Sequence, residues 1–193
     1  MLNQLEERKS TFININNKTL ATYSFVYKIN DAYSVDDLNK FKSKSQLLFQ
    51  KIEDKNQQLN LMFVDSAFAN ILADVVLEVL LNGISSFSEY LNSKNKIKIV
   101  EEKEEEQYFK YKLNSFIHLL LYSDISSSRV FNGEILTDRI YCFKNKNGEL
   151  DYYSIYDQSK LQLKLLNELK IKINFDHSTI EEGMVKLGVG VWG

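Results

Sequence analysis

The string Glu7-Arg8-Lys9 places a carboxylate and an amine two residues apart. On a strand, side chains at i and i+2 share one face. Glu7 could then hold a divalent ion while Lys9 positions or activates an attacking water, which is half of a metal-assisted hydrolytic site. The alternative is a charged segment with no partner, and no acidic residue precedes Glu6 to complete the pair. Other starting points for chemistry are sparse. There is no glycine-rich phosphate loop, no Gly-x-Ser-x-Gly, no His-Glu-x-x-His and no pair of cysteines. With only His118 and His177, a catalytic triad has little to draw on. His118 lies on an apolar helical stretch and reads as a packed or edge residue. Cys142 falls in a strand-like run and reads as a small core residue. The acidic run at 101–106 reads either as the solvated first turns of a helix, where negative charge suits the dipole, or as a metal-binding carboxylate cluster.

The elements that would position such groups follow from periodicity. Phe68, Ile71, Leu72, Val75, Val76, Val79 and Leu80 recur at helical spacing, with Asp65 as a cap and Gly83 as a stop, and predict the central core helix. The pattern from Thr11 to Ile29 predicts two strands turning at Asn16-Asn17-Lys18. Ser34 opens a predicted helix running through Leu38, Phe41, Leu47, Leu48 and Ile52. Asn56 to Asn60 reads as a polar break, and Leu61 to Val64 as a short buried strand. A short helix carries Phe87, Tyr90 and Leu91, and a longer one carries Tyr108, Phe109, Leu113, Phe116, Ile117, Leu120 and Leu121. The segment 126–133 reads as a loop with a turn at Asn132-Gly133. A hairpin turning at Asn147-Gly148 follows, then a helix from about Gln158 to Leu169 capped by Asp157, and a last strand from Met184 to Trp192. Strands and helices mix without regular βαβ alternation, which predicts an α+β or mixed α/β fold, a mixed sheet with packed helices.

The totals set limits. The chain has 193 residues, 44% of them apolar, and 24 basic against 26 acidic residues for a net charge of −2. That is enough for one domain with a real core. The balance argues against indiscriminate polyanion binding while leaving room for a local basic cleft. A single cysteine rules out an internal disulfide. The absence of a signal peptide and of a membrane-length apolar run predicts a cytoplasmic protein with no membrane partner.

The order of landmarks resembles the HpaII family of Type II restriction endonucleases. Ser10-Thr11-Phe12 with the run from Leu20 to Ile29 is similar to that family's strand pair after the active-site strand. Asn60-Leu61-Met62-Phe63-Val64-Asp65-Ser66, then Ile71-Leu72-Ala73, resembles its central helix, and Tyr108 to Leu113 followed by Phe116 its next helix. Asn132-Gly133-Glu134 resembles the following loop, Asn147 to Leu150 with Tyr153 to Asp157 the hairpin, and His177 the late histidine. The resemblance implies a PD-(D/E)xK-type fold and a magnesium-dependent enzyme that cleaves short palindromic double-stranded DNA sites, CCGG in the namesake. Lys9-Ser10 matches the Lys-Ser at the end of the family's catalytic strand. The chain departs from the family where Asp176 replaces an arginine beside the late histidine. The expectation is a single domain over 1–193, the carboxy-terminal part of a larger nuclease, incomplete and inactive alone. It would be joined by a missing amino-terminal half or act as a homodimer. Arg129 and Asn132 in the serine-rich loop, Lys144 and Lys146 at the hairpin tip, and His177 are the expected DNA contacts. The other class of function is a non-catalytic module that binds a partner protein through an exposed strand edge.

Overall fold

A computed structural model describes residues 10–93, 96–97, 102–145 and 147–193. Two sheets and five helices carry the described chain. β1 (Thr11–Asn14), β4 (Arg139–Lys144) and β5 (Leu150–Ser154) form a mixed sheet in the order β1-β4-β5, with β1 parallel to β4 and β5 antiparallel to it. β3 (Leu47–Ile52), β2 (Thr19–Ile29), β7 (Met184–Trp192) and β6 (Lys170–Glu181) form an antiparallel sheet in the order β3-β2-β7-β6. The helices are α1 (Lys55–Leu61), α2 (Phe68–Asn82), α3 (Phe87–Asn92), α4 (Glu102–Tyr122) and α5 (Gln158–Glu168). Mixed α and β content, as expected, is the result.

α2 is the element the core is built on. Every residue from Ile71 to Glu78 is buried, which the width of its apolar stripe requires. It ends at Gly83, whose φ of 66° is left-handed and whose N–H reaches the Val79 carbonyl. Helix begins at Phe68 rather than at Asp65, and Asp65 instead accepts a hydrogen bond from the Ala67 N–H at 2.8 Å. The inward side chains of β2, namely Ala21, Tyr23, Phe25, Tyr27 and Ile29, alternate with outward ones and meet the helices. Phe116 of α4 joins these layers, its ring 5.1 Å from Phe68, 6.1 Å from Phe87 and 6.5 Å from Tyr23.

Several expectations are corrected. The turn at Asn16-Asn17 exists, but β1 and β2 leave it for different sheets. The helix expected from Ser34 to Ile52 is two short 3-10 turns, Leu38–Lys40 and Lys44–Gln46, followed by β3. Leu38, Phe41, Leu48 and Ile52 do fit a helical period. However, the Gln46 side chain accepts from the Lys42 and Ser43 N–H groups, closing a tight capping box, and β2 supplies a strand partner. The polar break at Asn56–Asn60 is α1, capped by Asp54, and the expected strand at Leu61–Val64 is a helix end and turn with Met62 and Phe63 exposed. Asp157 stands at the start of α5 without capping it, because its carboxylate accepts instead from the Ser154 N–H and hydroxyl, both at 2.9 Å. β6 is not anticipated at all.

Besides Tyr141, whose hydroxyl donates to the Leu121 carbonyl, four tyrosines, Tyr23, Tyr27, Tyr90 and Tyr122, are buried. The Tyr27 hydroxyl donates to the Ala73 carbonyl and that of Tyr90 to Asp74, while those of Tyr23 and Tyr122 find no partner among the described residues. Burial raises all four phenols well above the usual tyrosine range, and the Asp74 charge adds to this at Tyr27 and Tyr90. The folded state therefore keeps protons that the unfolded chain releases near pH ~10. Their stabilisation is complete below that pH and is lost as pH rises above it, by up to about 1.4 kcal/mol per pH unit for each tyrosine. Alkaline titration is expected to ionise these four only in the step that abolishes the circular dichroism of the fold. Ionisation of all eleven tyrosines with the fold intact would contradict the burial.

Candidate functional site

The helices cover one face of the four-stranded sheet and leave the other open. Along β7, Val185, Leu187, Val189 and Val191 point into the core, so Lys186, Gly188, Gly190 and Trp192 face outward. Strand register sets the rows across this face: Thr22–Gly190–Lys172, Ser24–Gly188–Asn174 and Val26–Lys186–Thr179. Two glycines in the middle of the central strand remove the side chains that would fill it. The result is a cleft of about 940 Å³ between polar rims.

One wall is an arch in β6, where pairing with β7 shifts between Asn174 and Thr179. Ser178 ties the arch down, donating to the Asn174 carbonyl at 2.8 Å and accepting from the Gly188 N–H at 3.1 Å. His177 leans over the strand so closely that a Cβ at Gly188 would lie 2.9 Å from the His177 Cβ. Only glycine lets the arch close here. At one end of the cleft the Trp192 indole folds back over Gly190, where any Cβ would collide with the ring. The Lys172 ammonium stands 5.7 Å from the ring centre, a cation–π contact. At the other end Lys186 pairs with Glu53 at 2.6 Å, a half-exposed bridge worth little in stability. Glu53, Asp176 and Glu181 face Lys172 and Lys186, so the lining carries more negative than positive side chains.

A second hollow, of about 390 Å³, is lined by Arg129, Asn132, Asp124 and Glu134 among others. The loop around it is held by the side-chain amides of α1. Asn60 donates to the carbonyls of Ser127 and Arg129 and accepts from the Phe131 N–H. Gln57 donates to the carbonyls of Thr22 and Ser126, and Asn56 to that of Ser128. Arg129 thus rides exposed on a fastened loop. The Asn132 side chain is used within the turn itself, accepting from the Glu134 N–H at 3.0 Å.

The expected site residues do not form one cluster. His177 belongs to the large cleft, where it is exposed on the arch rather than at the edge of the core, and Arg129 and Asn132 belong to the second hollow. Lys144 ends β4 and is exposed, its backbone N–H held by the Asn16 side chain. Glu7, Lys9 and Lys146 lie outside the described residues, as do the side chains of most of the acidic run at 101–106. The backbone of that run does begin α4 at Glu102. His118 is half-buried against Tyr122, with ring centres 5.2 Å apart, and burial lowers its pKa. Lys172, Lys186 and Trp192 were not anticipated. For Lys186 and Trp192 the signal was present as strict alternation in Val185-Lys186-Leu187-Gly188-Val189-Gly190-Val191-Trp192, whose outward half is this face, and for Lys172 as the shorter alternation Lys170-Ile171-Lys172-Ile173-Asn174.

Two carboxylates and a lysine do meet elsewhere. Lys44 lies 2.7 Å from both Asp74 and Glu78 of α2. Asp74 also accepts from the Tyr90 hydroxyl and the Ile97 N–H, and Glu78 from Asn82 and Ser93. With Asp74 and Glu78 buried, this network fastens the entry to β3 and the segment after α3 onto the central helix. Among the described residues no three His, Cys, Asp or Glu side chains are grouped to hold a metal ion. No helix among them is long and apolar enough to cross a membrane.

A model of the HpaII restriction endonuclease family matches residues 5–180 of the chain. Neither the curated proteins nor the solved structures gave a match.

Proposed function

The chain belongs to the HpaII restriction endonuclease family, and on that premise we propose that it recognises and cleaves short palindromic double-stranded DNA sites, CCGG-like by resemblance, with a divalent metal. The observation that carries this reading is the family match itself, which runs from before β1 to Ile180 and takes in the Arg129 loop and His177. Arg129, Asn132, Lys144, Lys146 and His177 are the proposed DNA contacts. Arg129 is the strongest of them, because the α1 amides hold its loop and an ordered loop loses little entropy on binding. A palindromic site is matched by a two-fold protein, so a homodimer in the cytoplasm is the proposed working form. Restriction endonucleases generally use a divalent metal. The described residues do not fit a complete magnesium site, and Glu7 and Lys9, the proposed metal ligand and catalytic lysine, lie outside them.

Gel shift with a duplex carrying CCGG tests the DNA contact. With three phosphate contacts, affinity is expected to fall about 40-fold between ~50 and ~200 mM salt. Arg129→Ala should reduce the slope of log affinity against log salt by about one. Cleavage of plasmid DNA that requires magnesium and is lost in Lys9→Ala would support the catalytic part. Absence of duplex binding at low salt would remove the DNA reading.

One observation favours a second reading, a non-catalytic module that binds a partner protein. The outward face of the β1-β4-β5 sheet exposes Phe12 and Tyr152, whose rings meet edge to face at 6.2 Å, and Leu150 beside them. The outer edge of β1 has no strand partner among the described residues.

A further inference from the structure

We propose that the cleft on the open face of the four-stranded sheet takes an unpaired nucleotide, with its base stacked on Trp192. This rests on the DNA reading above and names the part of the DNA that enters the cleft. Size is the first ground. A hollow of about 940 Å³ is on the scale of small-molecule sites and has room for a nucleotide. A base enters such a site only when it leaves its stack.

The second ground is the platform. The Trp192 indole lies over the backbone of Gly190, which supports it from below. The Lys172 ammonium stands 5.7 Å from the ring centre, so a nucleotide stacked on the indole would have a cation beside it for its phosphate. Aromatic stacking with an adjacent cation is how unpaired bases are held.

Charge supplies the third ground. Glu53, Asp176 and Glu181 outnumber Lys172 and Lys186 along the lining. A groove that tracks a continuous phosphate backbone needs the opposite balance. Carboxylates suit a base edge that donates hydrogen bonds, as the cytosine amino group does, and thymine offers no amino group. Thr22, Ser24 and Asn174 flank the two glycines and His177 overhangs them, adding hydroxyl, amide and imidazole groups for the remaining edge. The site therefore prefers an amino-bearing base.

Trp192 is the chain's single tryptophan, so fluorescence excited beyond the absorption of the eleven tyrosines reports on this cleft alone. The full chain would be titrated with a fully paired duplex, the same duplex with one unpaired cytosine, the same with one unpaired thymine, and the single strand. The unpaired cytosine is expected to quench the emission and to bind about tenfold tighter than the paired duplex, with thymine weaker. Labelled-oligonucleotide anisotropy should show Trp192→Ala losing roughly 5- to 100-fold in affinity for the unpaired cytosine, and Trp192→Phe retaining most of it. Gly190→Ala, which evicts the indole while keeping it in the chain, should match Trp192→Ala with its circular dichroism unchanged. Equal quenching by paired and unpaired duplexes, or no quenching where gel shift records binding, overturns the proposal and leaves the DNA reading standing. Quenching by the unpaired strand with no duplex binding keeps the cleft assignment and overturns the DNA reading.

Discussion

Replacing Asp74 with alanine is expected to lower stability by roughly 3–5 kcal/mol at neutral pH, the range found when one member of a buried ion pair is removed. Three donors converge on this carboxylate: Lys44 at 2.7 Å, the Tyr90 hydroxyl at 2.9 Å and the Ile97 N–H at 3.0 Å. Alanine leaves the last two without their acceptor in the core and removes one of the carboxylates facing Lys44, leaving Glu78 in place. For a chain of this length the loss corresponds to a fall in Tm of about 10 °C or more. Asp74→Asn keeps an acceptor and should cost less than the alanine variant. Lys44→Met should cost at least as much, because it strands two buried carboxylates one helical turn apart. Urea unfolding of the three variants measures the effect. A loss below about 1 kcal/mol for Asp74→Ala would mean that water already solvates the cluster.

The second large effect is expected at Asn60. Leucine matches it in size but offers no amide, so the carbonyls of Ser127 and Arg129 and the N–H of Phe131 all lose their partner. Asn60 is fully buried, and each unpaired group costs about 1–3 kcal/mol. The loop can relax toward solvent, so we expect a net loss of roughly 3 kcal/mol rather than the full sum. Hydrogen exchange should register it locally as well, with the Phe131 amide becoming fast to exchange. Asn56→Ala removes one exposed hydrogen bond and serves as the comparison, with an expected change within about 0.5 kcal/mol. If Asn60→Leu left both stability and exchange unchanged, the fastening of the Arg129 loop to α1 would be wrong. If it destabilised the fold while DNA affinity held, Arg129 would not be the contact proposed for it.

Much of the fold was legible because some segments carry one period without competition. In α2 the apolar residues follow a helical repeat for four turns and stop at Gly83, and no other structure buries them all. In β7 they alternate strictly, and the hairpin turn at Asn147-Gly148 places a glycine at the φ of 88° that the turn requires. Where two patterns fit the same residues, the sequence misled. Leu38, Phe41, Leu48 and Ile52 satisfy a helix, yet β2 offers an edge to pair with, and five residue pairs of ladder form there instead. Asn56, Gln57 and Asn60 look like a break because amides favour turns. Their acceptors lie about 70 residues away in the Ser126–Arg129 loop, and no local window contains both.

The sequence by itself determined the mixed α and β class, the central helix, the last strand and, through the order of its landmarks, the restriction endonuclease family. These rest on local period or on linear order, which a chain displays before it folds. Only the tertiary structure decided which polar residues share a surface. Lys172, Gly190 and Thr22 are far apart along the chain and adjacent across the sheet. His177 reaches the same cleft because β6 arches over Gly188, a position where a side chain would block the approach. Pairing register and close backbone contact set these relations. Both are properties of strands brought together, and neither is written in any one of them.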